Sequence, residues 1–342
     1  MQTLTLKSLL TKSVVLGLVL TTQMAKSQTA QDIQKLGDLV NDAVYFTKLF
    51  VTPATDAAVY QASNGWVNSP KKAALWDLNV GLHANVFFVP KSNRTFNISD
   101  SDFKFFKIPT ANTTVDVQTA LGSNNQIPLT GNIGGQDVIV KTPEGINSES
   151  VQYAYLQASL GLWYGTELIV KFSPKIEIAK FNYQVMGLGI QHNLDQYIPS
   201  METNNLHLAA IASYGHEDLS LQFLDAQTPY GNLGLNGLNS LIDTYQFQLN
   251  FSRQFDKLEL STGLIFNNST FKYALNGEKG SIENTVPVQA ILNQKLVELN
   301  TTKSNLIGEI SVRYSFKKFF FQTTAGFGKF INANFSIQYQ II

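Results

Sequence analysis

Cysteine is absent from the 342 residues. That removes disulfides and thiolate metal sites, and with them the lipid anchor that a lipoprotein carries on a cysteine at its cleavage site. Charge is scarce. Asp, Glu, Lys and Arg make up 15% of the chain, against about 25% in ordinary soluble domains. The 25 basic residues balance the 25 acidic ones, which leaves no electrostatic footprint for nucleic acid. Long apolar runs are missing as well. Mean hydropathy is -0.03, and beyond the N-terminal stretch no segment reaches the ~18 consecutive apolar residues of a membrane helix. Low charge without long apolar runs fits a surface whose apolar half alternates with a polar, uncharged half. A transmembrane β-barrel has that composition. A large secreted β-sandwich is the soluble rival, and the length suits either one large β architecture or two ordinary domains.

The chain begins "MQTLTLKSLLTKSVVLGLVLTTQMAKSQ". Lys7 and Lys12 form a basic region, Val14 to Leu20 a short apolar core, and Ala25-Lys26-Ser27 places small residues where signal peptidase reads them. An apolar core this short cannot span about 30 Å of hydrocarbon. The expectation is a cleaved signal peptide over 1–27, with Gln28 as the first mature residue.

Residues 28–70 read as an N-terminal helical segment and a candidate lumen plug. Ile33, Leu36, Val40 and Ala43 recur at helical spacing, and Pro53 is expected to break the segment into one or two short helices within 30–62. The apolar stripe needs burial. A membrane-surface helix would carry a basic polar face, whereas here Lys35 and Lys48 stand against Asp32, Asp38 and Asp42. The barrel interior is therefore favoured. "NGWVNSP" at 64–70 is turn chemistry.

From residue 71 to 342 the period is two, and an outer-membrane barrel is expected there. Leu78, Val80, Leu82, Ala84 and Val86 alternate with Asn79, Gly81, His83 and Asn85. Tyr245, Phe247, Leu249 and Phe251 alternate with Gln246, Gln248, Asn250 and Ser252. The alternation in "INANFSIQYQII" continues into the last residues, as a strand that must close a ring requires. The polar face is rich in Gln, Asn, Ser and Gly, where a solvated outer face would carry charge. Substitutions there, such as Gln246→Arg or Gln248→Arg, are expected to be mild. Asp256-Lys257 and Lys317-Lys318 read as tight turns and "GHED" (215–218) as nearly one, while about 225–241 and 269–304 read as long connections. Short turns on one rim and long loops on the other is the outer-membrane pattern. The expected fold is an antiparallel barrel of 12 or 14 strands. The 109–150 region holds either two further strands ("TTVDVQTAL", "QDVIVKT") or a folded-in loop. Helical spacing of Val288, Leu292 and Leu296 suggests a short helix in an external loop.

Chemistry-bearing motifs are few. His83, His192, His207 and His216 have no metal-ligand spacing, and no G-x-S-x-G is present. No enzyme, metal or cofactor is implied. Asp77, His83, Glu167, Lys171, Glu259, Glu309 and Arg313 fall on the inward side and are the candidate lumen or passage residues. A shape-fixing ion-pair network is the plainer reading for the charged ones. "GLGIQHNLDQYIP" (187–199) is the most distinctive string, with His192, Asn193, Asp195, Gln196 and Tyr197 as a candidate mouth loop.

"GTELIVKFSPKIEI", "GLGIQHNLDQYIP" and "GWVNSPKKAALWDLNVGLHANVFFVPKS" resemble an uncharacterised family of outer-membrane proteins from Bacteroidota. The order of signal peptide, helical segment and barrel is distantly similar to FadL-type transporters of long-chain fatty acids. The second resemblance implies 14 strands, a helical hatch and passive uptake of a small hydrophobic molecule across the outer membrane. The alternative expectation is a closed-lumen structural or surface-interaction protein of the same membrane. Outer-membrane lipid is the implied partner, with a hydrophobic small molecule as ligand, no nucleic acid, and a monomer favoured.

Overall fold

The computed structural model describes residues 30–109, 114–178, 181–222, 227–228, 231–232, 236–284 and 287–342. The signal-peptide reading of 1–27 falls outside them. Ten barrel strands follow the period-two segments: β1 Leu78–Phe88, β2 Ser150–Gly161, β3 Thr166–Phe172, β4 Phe181–Asn193, β5 Leu206–Gln222, β6 Gly237–Phe255, β7 Leu258–Leu275, β8 Thr301–Phe316, β9 Phe319–Phe327 and β10 Ile331–Gln340. Each pairs antiparallel with its neighbour in the chain, and β10 pairs with β1 (Leu82 opposite Ile337), so the sheet closes on itself. An eleventh strand, Ile176–Ile178, is not one of the ten that close the ring; it pairs with β4 just above β3, with Ile176 opposite Tyr183 where Phe172 lies opposite Met186. The ring leaves no edge to present unpaired backbone groups to lipid.

The expected 12 or 14 strands are thus corrected to ten, for two reasons. "GHED" does not turn. Gly215 lies opposite both Gly187 and Thr244 in an unbroken ladder, and the inward-facing Glu217 carboxylate accepts from Tyr183 Oη at 2.9 Å. A carboxylate is tolerated mid-strand because the interior is polar. The second reason is the 109–150 region. Thr95–Ile98 pairs with Val115–Gln118, and Pro128–Ile133 with Gln136–Lys141, as two separate hairpins outside the barrel sheet. Their buried Ile98, Val117, Leu129 and Val138 pack in a cap on the long-loop rim.

The opposite rim carries the tight turns. Asp256 and Lys317 adopt φ of +52° and +57° there, as short hairpin connections require. The longest connections leave from the other rim, 89–149, 223–236 and 276–300, while the twelve-residue connection 194–205 is the exception on the tight-turn rim. The 276–300 connection contains a short helix, Val288–Leu296, where its spacing predicts one.

One helix, α1, covers Ala30–Ser63, with Pro53 inside it. The expected break does not occur. Pro53 leaves the Leu49 carbonyl without its amide, but Phe50, Val51 and Ala54 are buried around it. Packing on the cap holds the helix through the proline.

The faces of the tall strands invert along their length. On β6 the outward Tyr245, Phe247, Leu249, Phe251 and Phe255 are exposed, with Arg253 among them near the lower end and stacked over the Phe255 ring, while Gln246, Gln248, Asn250 and Ser252 are buried inside. Above Tyr245 the order reverses. Asp243 and Asn239 point outward, and Ile242 and Leu238 join the buried core. β7 does the same, with Phe266 outward below and Phe271 and Tyr273 inward above. Tyr245 lies opposite both Tyr214 and Asn268, so the change comes at one height across three strands. Apolar-out below and apolar-in above is the pattern of a chain leaving hydrocarbon for water. From Tyr245 to Phe255 is ten residue steps by number, roughly 33 Å of strand at ~3.3 Å per residue. At a tilt of about 40° that is a height of ~25 Å, the usual apolar band of an outer-membrane barrel.

Candidate functional site

The barrel interior is occupied by the protein's own chain. From the C-terminus of α1, residues 64–76 run from the long-loop rim to the tight-turn rim and there enter β1. Asn64 bonds Asn332 near the upper rim, and Gly65 N donates to Glu309 Oε1 in the middle (2.8 Å). Ser69 reaches Glu259 lower down, and the Cβ of an alanine at Gly161 would meet Ala74 O at the bottom. This extended strap has no β ladder of its own, so its backbone carbonyls need other donors.

The wall supplies them. Asn332 Nδ2 donates to Tyr60 O, Asn85 Nδ2 to Gln61 O, Gln246 Nε2 to Ser63 O, Gln157 Nε2 to Trp66 O and Gln322 Nε2 to Val67 O, at 2.8 to 3.2 Å. Gln191 and Asn193 serve Ser69 O and Pro70 O. Tyr155 Oη reaches Gly65 O at 3.4 Å. Lys171, fully buried, places Nζ 3.0 Å from Ala62 O and 2.9 Å from Asn64 O. Its ammonium also lies 4.4 Å from the Trp66 ring centroid and 4.7 Å from that of Tyr155. Every carbonyl from Tyr60 to Val67 thus has a donor on the barrel. At ~1 kcal/mol net per bond, these contacts contribute on the order of 10 kcal/mol before the cost of ordering the strap is subtracted.

Trp66 is the widest part of the strap and is 2% exposed. It fits because the facing wall is glycine. A Cβ at Gly187 would stand 2.6 Å from the Trp66 ring, and one at Gly189 would stand 3.2 Å from it. Gly187 and Gly189 of the distinctive string therefore serve the strap. The rest of that string forms a turn on the tight-turn rim. Asp195 accepts from His207 Nδ1 (3.1 Å), from Leu208 N (3.1 Å) and from Asn193 Nδ2. His192 meets Thr166 Oγ1 at 3.0 Å and the exposed Tyr197 Oη at 3.1 Å, and Gln196 Nε2 donates to Tyr164 O.

The inward residues singled out by the sequence separate into two levels. Lys171, Glu309 and His83 lie at mid-lumen. Glu309 Oε2 accepts from Gln248 Nε2 at 2.7 Å, and His83 stacks on Tyr155 with centroids 4.8 Å apart. Arg313, Glu259, Glu167 and Asp77 lie lower. Arg313 stands 3.7 Å from Glu259 and over the Phe320 ring at 3.8 Å, and Glu259 also binds Ser252 at 2.6 Å. Glu167 accepts from Gln191 at 3.1 Å, and Asp77 from Gln340 at 2.6 Å. All seven face inward, but they surround the strap instead of an open passage.

Above the lumen, α1 is fastened to the rim and to the cap. Asp56 takes Lys303 at 2.5 Å and Lys329 at 2.6 Å. Asp42, 4% exposed, accepts from the backbone N–H groups of Lys104, Phe105 and Phe106 at 2.7 to 3.0 Å. Sequence reasoning missed Asp42, Asp56, Trp66, Glu217 and the strap. Within the segment itself, a tryptophan inside a polar, turn-like run was the signal available.

Among solved structures, the chain is similar to the outer membrane protease OmpT from Escherichia coli, at 10% identity over 80% of this chain and 100% of that one, with a TM-score of 0.28. It is also similar to the translocator domain of the autotransporter NalP from Neisseria meningitidis (9% identity, 84% and 94% coverage, TM-score 0.32). A third likeness is to the toluene transporter TodX from Pseudomonas putida (9% identity, 82% and 95% coverage, TM-score 0.20). No curated protein matches the sequence. The match that spans nearly the whole chain is to a family model, over residues 6–341, and on it the protein belongs to DUF6588, a family of unknown function.

Proposed function

We propose that this is an outer-membrane barrel whose lumen is sealed by its own N-terminal strap, and whose working part is the cap displayed outside the cell. The observation that carries the reading is the run of wall donors on the carbonyls of Tyr60 to Val67. A gate that opens in each transport cycle would have to break these bonds together. The ~25 Å apolar band supports the membrane assignment, and long loops on one rim support its orientation. The partner implied is outer-membrane lipid around a monomeric barrel, with no nucleic acid and no catalytic step. Because the strap descends from the cap rim to the tight-turn rim, the N-terminus of α1 lies on the cap side in this reading. In planar bilayers the full-length protein should show no steady conductance, and a variant beginning at Asp77 should form a pore. An epitope inserted just before Ala30 should bind antibody on intact cells. Steady conductance by the full-length protein, or an epitope reached only after permeabilisation, would refute the reading.

Uptake of a small hydrophobic molecule is the second reading. It is favoured by an apolar cavity between α1 and the upper wall. In this reading the strap would have to move for the molecule to pass.

A further inference from the structure

In the lower half of the apolar band, the outward faces of β8, β9, β10 and β1 form a groove of about 520 Å³, within the roughly 300–1,000 Å³ that small-molecule sites occupy. Its upper rung is Val312, Thr323, Phe335 and Ala84, each opposite the next in register. Thr323 and Ala84 are small, whereas Phe321 and Leu82, two residues below them on the same face, are large and exposed. Basic residues stand beneath the groove. The Lys317-Lys318 turn joins β8 to β9, and the Asp256-Lys257 turn lies beside it, because Ser315 N donates to Lys257 O at 2.8 Å. The two turns hold three lysines and one aspartate, all exposed. Lys317 Nζ rests 5.6 Å from the Phe316 ring centroid, and Lys318 Nζ donates to Ile341 O at 3.1 Å. None of the three ammoniums has a carboxylate partner among the described residues. Thr323 is four residues from Phe319, which is ~13 Å of strand and ~10 Å of height at a tilt of about 40°. A hydrocarbon chain in the groove therefore has its head at the level of the turns.

We infer that the groove and the two turns bind one anionic phospholipid of the leaflet on the tight-turn side, with an acyl chain across Thr323 and Ala84 and the phosphate among Lys257, Lys317 and Lys318. An apolar groove within the band faces hydrocarbon, not water, so a lipid chain is what covers it. The lysines select the head. Each lysine beside an anionic lipid surface contributes about fivefold in affinity. A zwitterionic head offers the same phosphate but brings its own ammonium, which three lysines repel. A free phosphate would leave the groove unused. The site rests on the membrane assignment made above and goes beyond it by naming the lipid and its place.

The probe is phosphatidylglycerol with a diazirine on one acyl chain, a trace component of phosphatidylcholine nanodiscs holding the full-length protein. After photolysis, adducts are mapped by mass spectrometry. They are expected to concentrate on peptides carrying Thr323 or Ala84, over the peptide carrying Phe247 on β6. A phosphatidylcholine probe with the same diazirine should label all outward faces alike. Lys317→Gln should lower the enrichment about fivefold, and Lys257→Gln, Lys317→Gln and Lys318→Gln together should abolish it. Thr323→Phe, which fills the groove, should abolish it too and leave labelling at Phe247 unchanged. If Thr323→Phe does not fold, Ala84→Phe takes its place. Even labelling around the barrel by the phosphatidylglycerol probe would overturn the proposal. So would equal enrichment with both probes, or enrichment that survives the filled groove or the loss of all three lysines. Adducts on no outward face would refute the membrane assignment, and the site with it.

Discussion

Leu249→Arg and Leu241→Arg place the same charge on the same outward face of β6, eight residues apart. Leu249 lies four residues below Tyr245, where the faces invert, and Leu241 lies four above it. At ~3.3 Å per residue and a tilt of about 40°, each is ~10 Å from that boundary. Leu249 is therefore near the middle of the apolar band, and Leu241 stands in water beside Asp218 and Lys272, its partners in register. An arginine at the bilayer midplane costs ~2–4 kcal/mol, and one beyond the interface ~0–1 kcal/mol. Reversible urea unfolding in lipid vesicles measures both. Gln248→Arg is the inward control. Sequence reasoning expects it to be mild, as in a hydrated lumen. Gln248 is fully buried, however, and bonds Asn250 and Glu309 at 2.7 Å each. Overpacking and the lost bonds should cost about 2 kcal/mol or more. Equal costs for Leu249→Arg and Leu241→Arg would refute the membrane boundary. A neutral Gln248→Arg would refute the packed lumen.

Asp42→Ala removes the acceptor from three backbone N–H groups, those of Phe105 and Phe106 buried and that of Lys104 part-buried. It should destabilise the cap by ~3–5 kcal/mol. Hydrogen exchange at residues 104–106 should accelerate while the heat-modifiable gel mobility of the barrel stays native, and unchanged exchange would count against the cap as described. Gly187→Val drives a methyl group into Trp66. With Trp76 and Trp163 replaced by phenylalanine, emission should shift to the red as Trp66 leaves its slot, and unshifted emission would mean that the glycine does not make room for the ring. Deleting 30–62 removes α1 but keeps the strap from Ser63 onward. The barrel should fold with only a small rise in conductance, and a fully open pore would move the seal from the strap to the helix.

The barrel was legible in the sequence because hydrocarbon enforces it. A lipid-facing strand alternates across the band, and β1, β10 and β6 from Tyr245 to Ser252 show that plainly, with Arg253 the one charge on the outward face of β6 within the band, close to the tight-turn rim. The strand count was not legible, because charge and glycine mark a turn only where the inner face cannot hold them. Glu217 sits inside β5 on a tyrosine hydroxyl, and "GHED" cannot announce this. Pro53 misled for a related reason: helix propensity is local, whereas the core on both sides of α1 is not. The strap was hidden most completely. It has no period, and its partners bind its carbonyls, which every residue type offers equally. Its trace lies on the wall opposite. A lumen that held water could carry lysine and glutamate freely, whereas one that holds a peptide backbone needs neutral donors at fixed heights. Asn85, Gln157, Gln191, Asn193, Gln246, Gln322 and Asn332 all spend an amide N–H on the strap or the end of α1. The surplus of glutamine and asparagine, and the shortage of charge from which the fold was first inferred, thus have a second cause: the inner wall is built to hold a polypeptide.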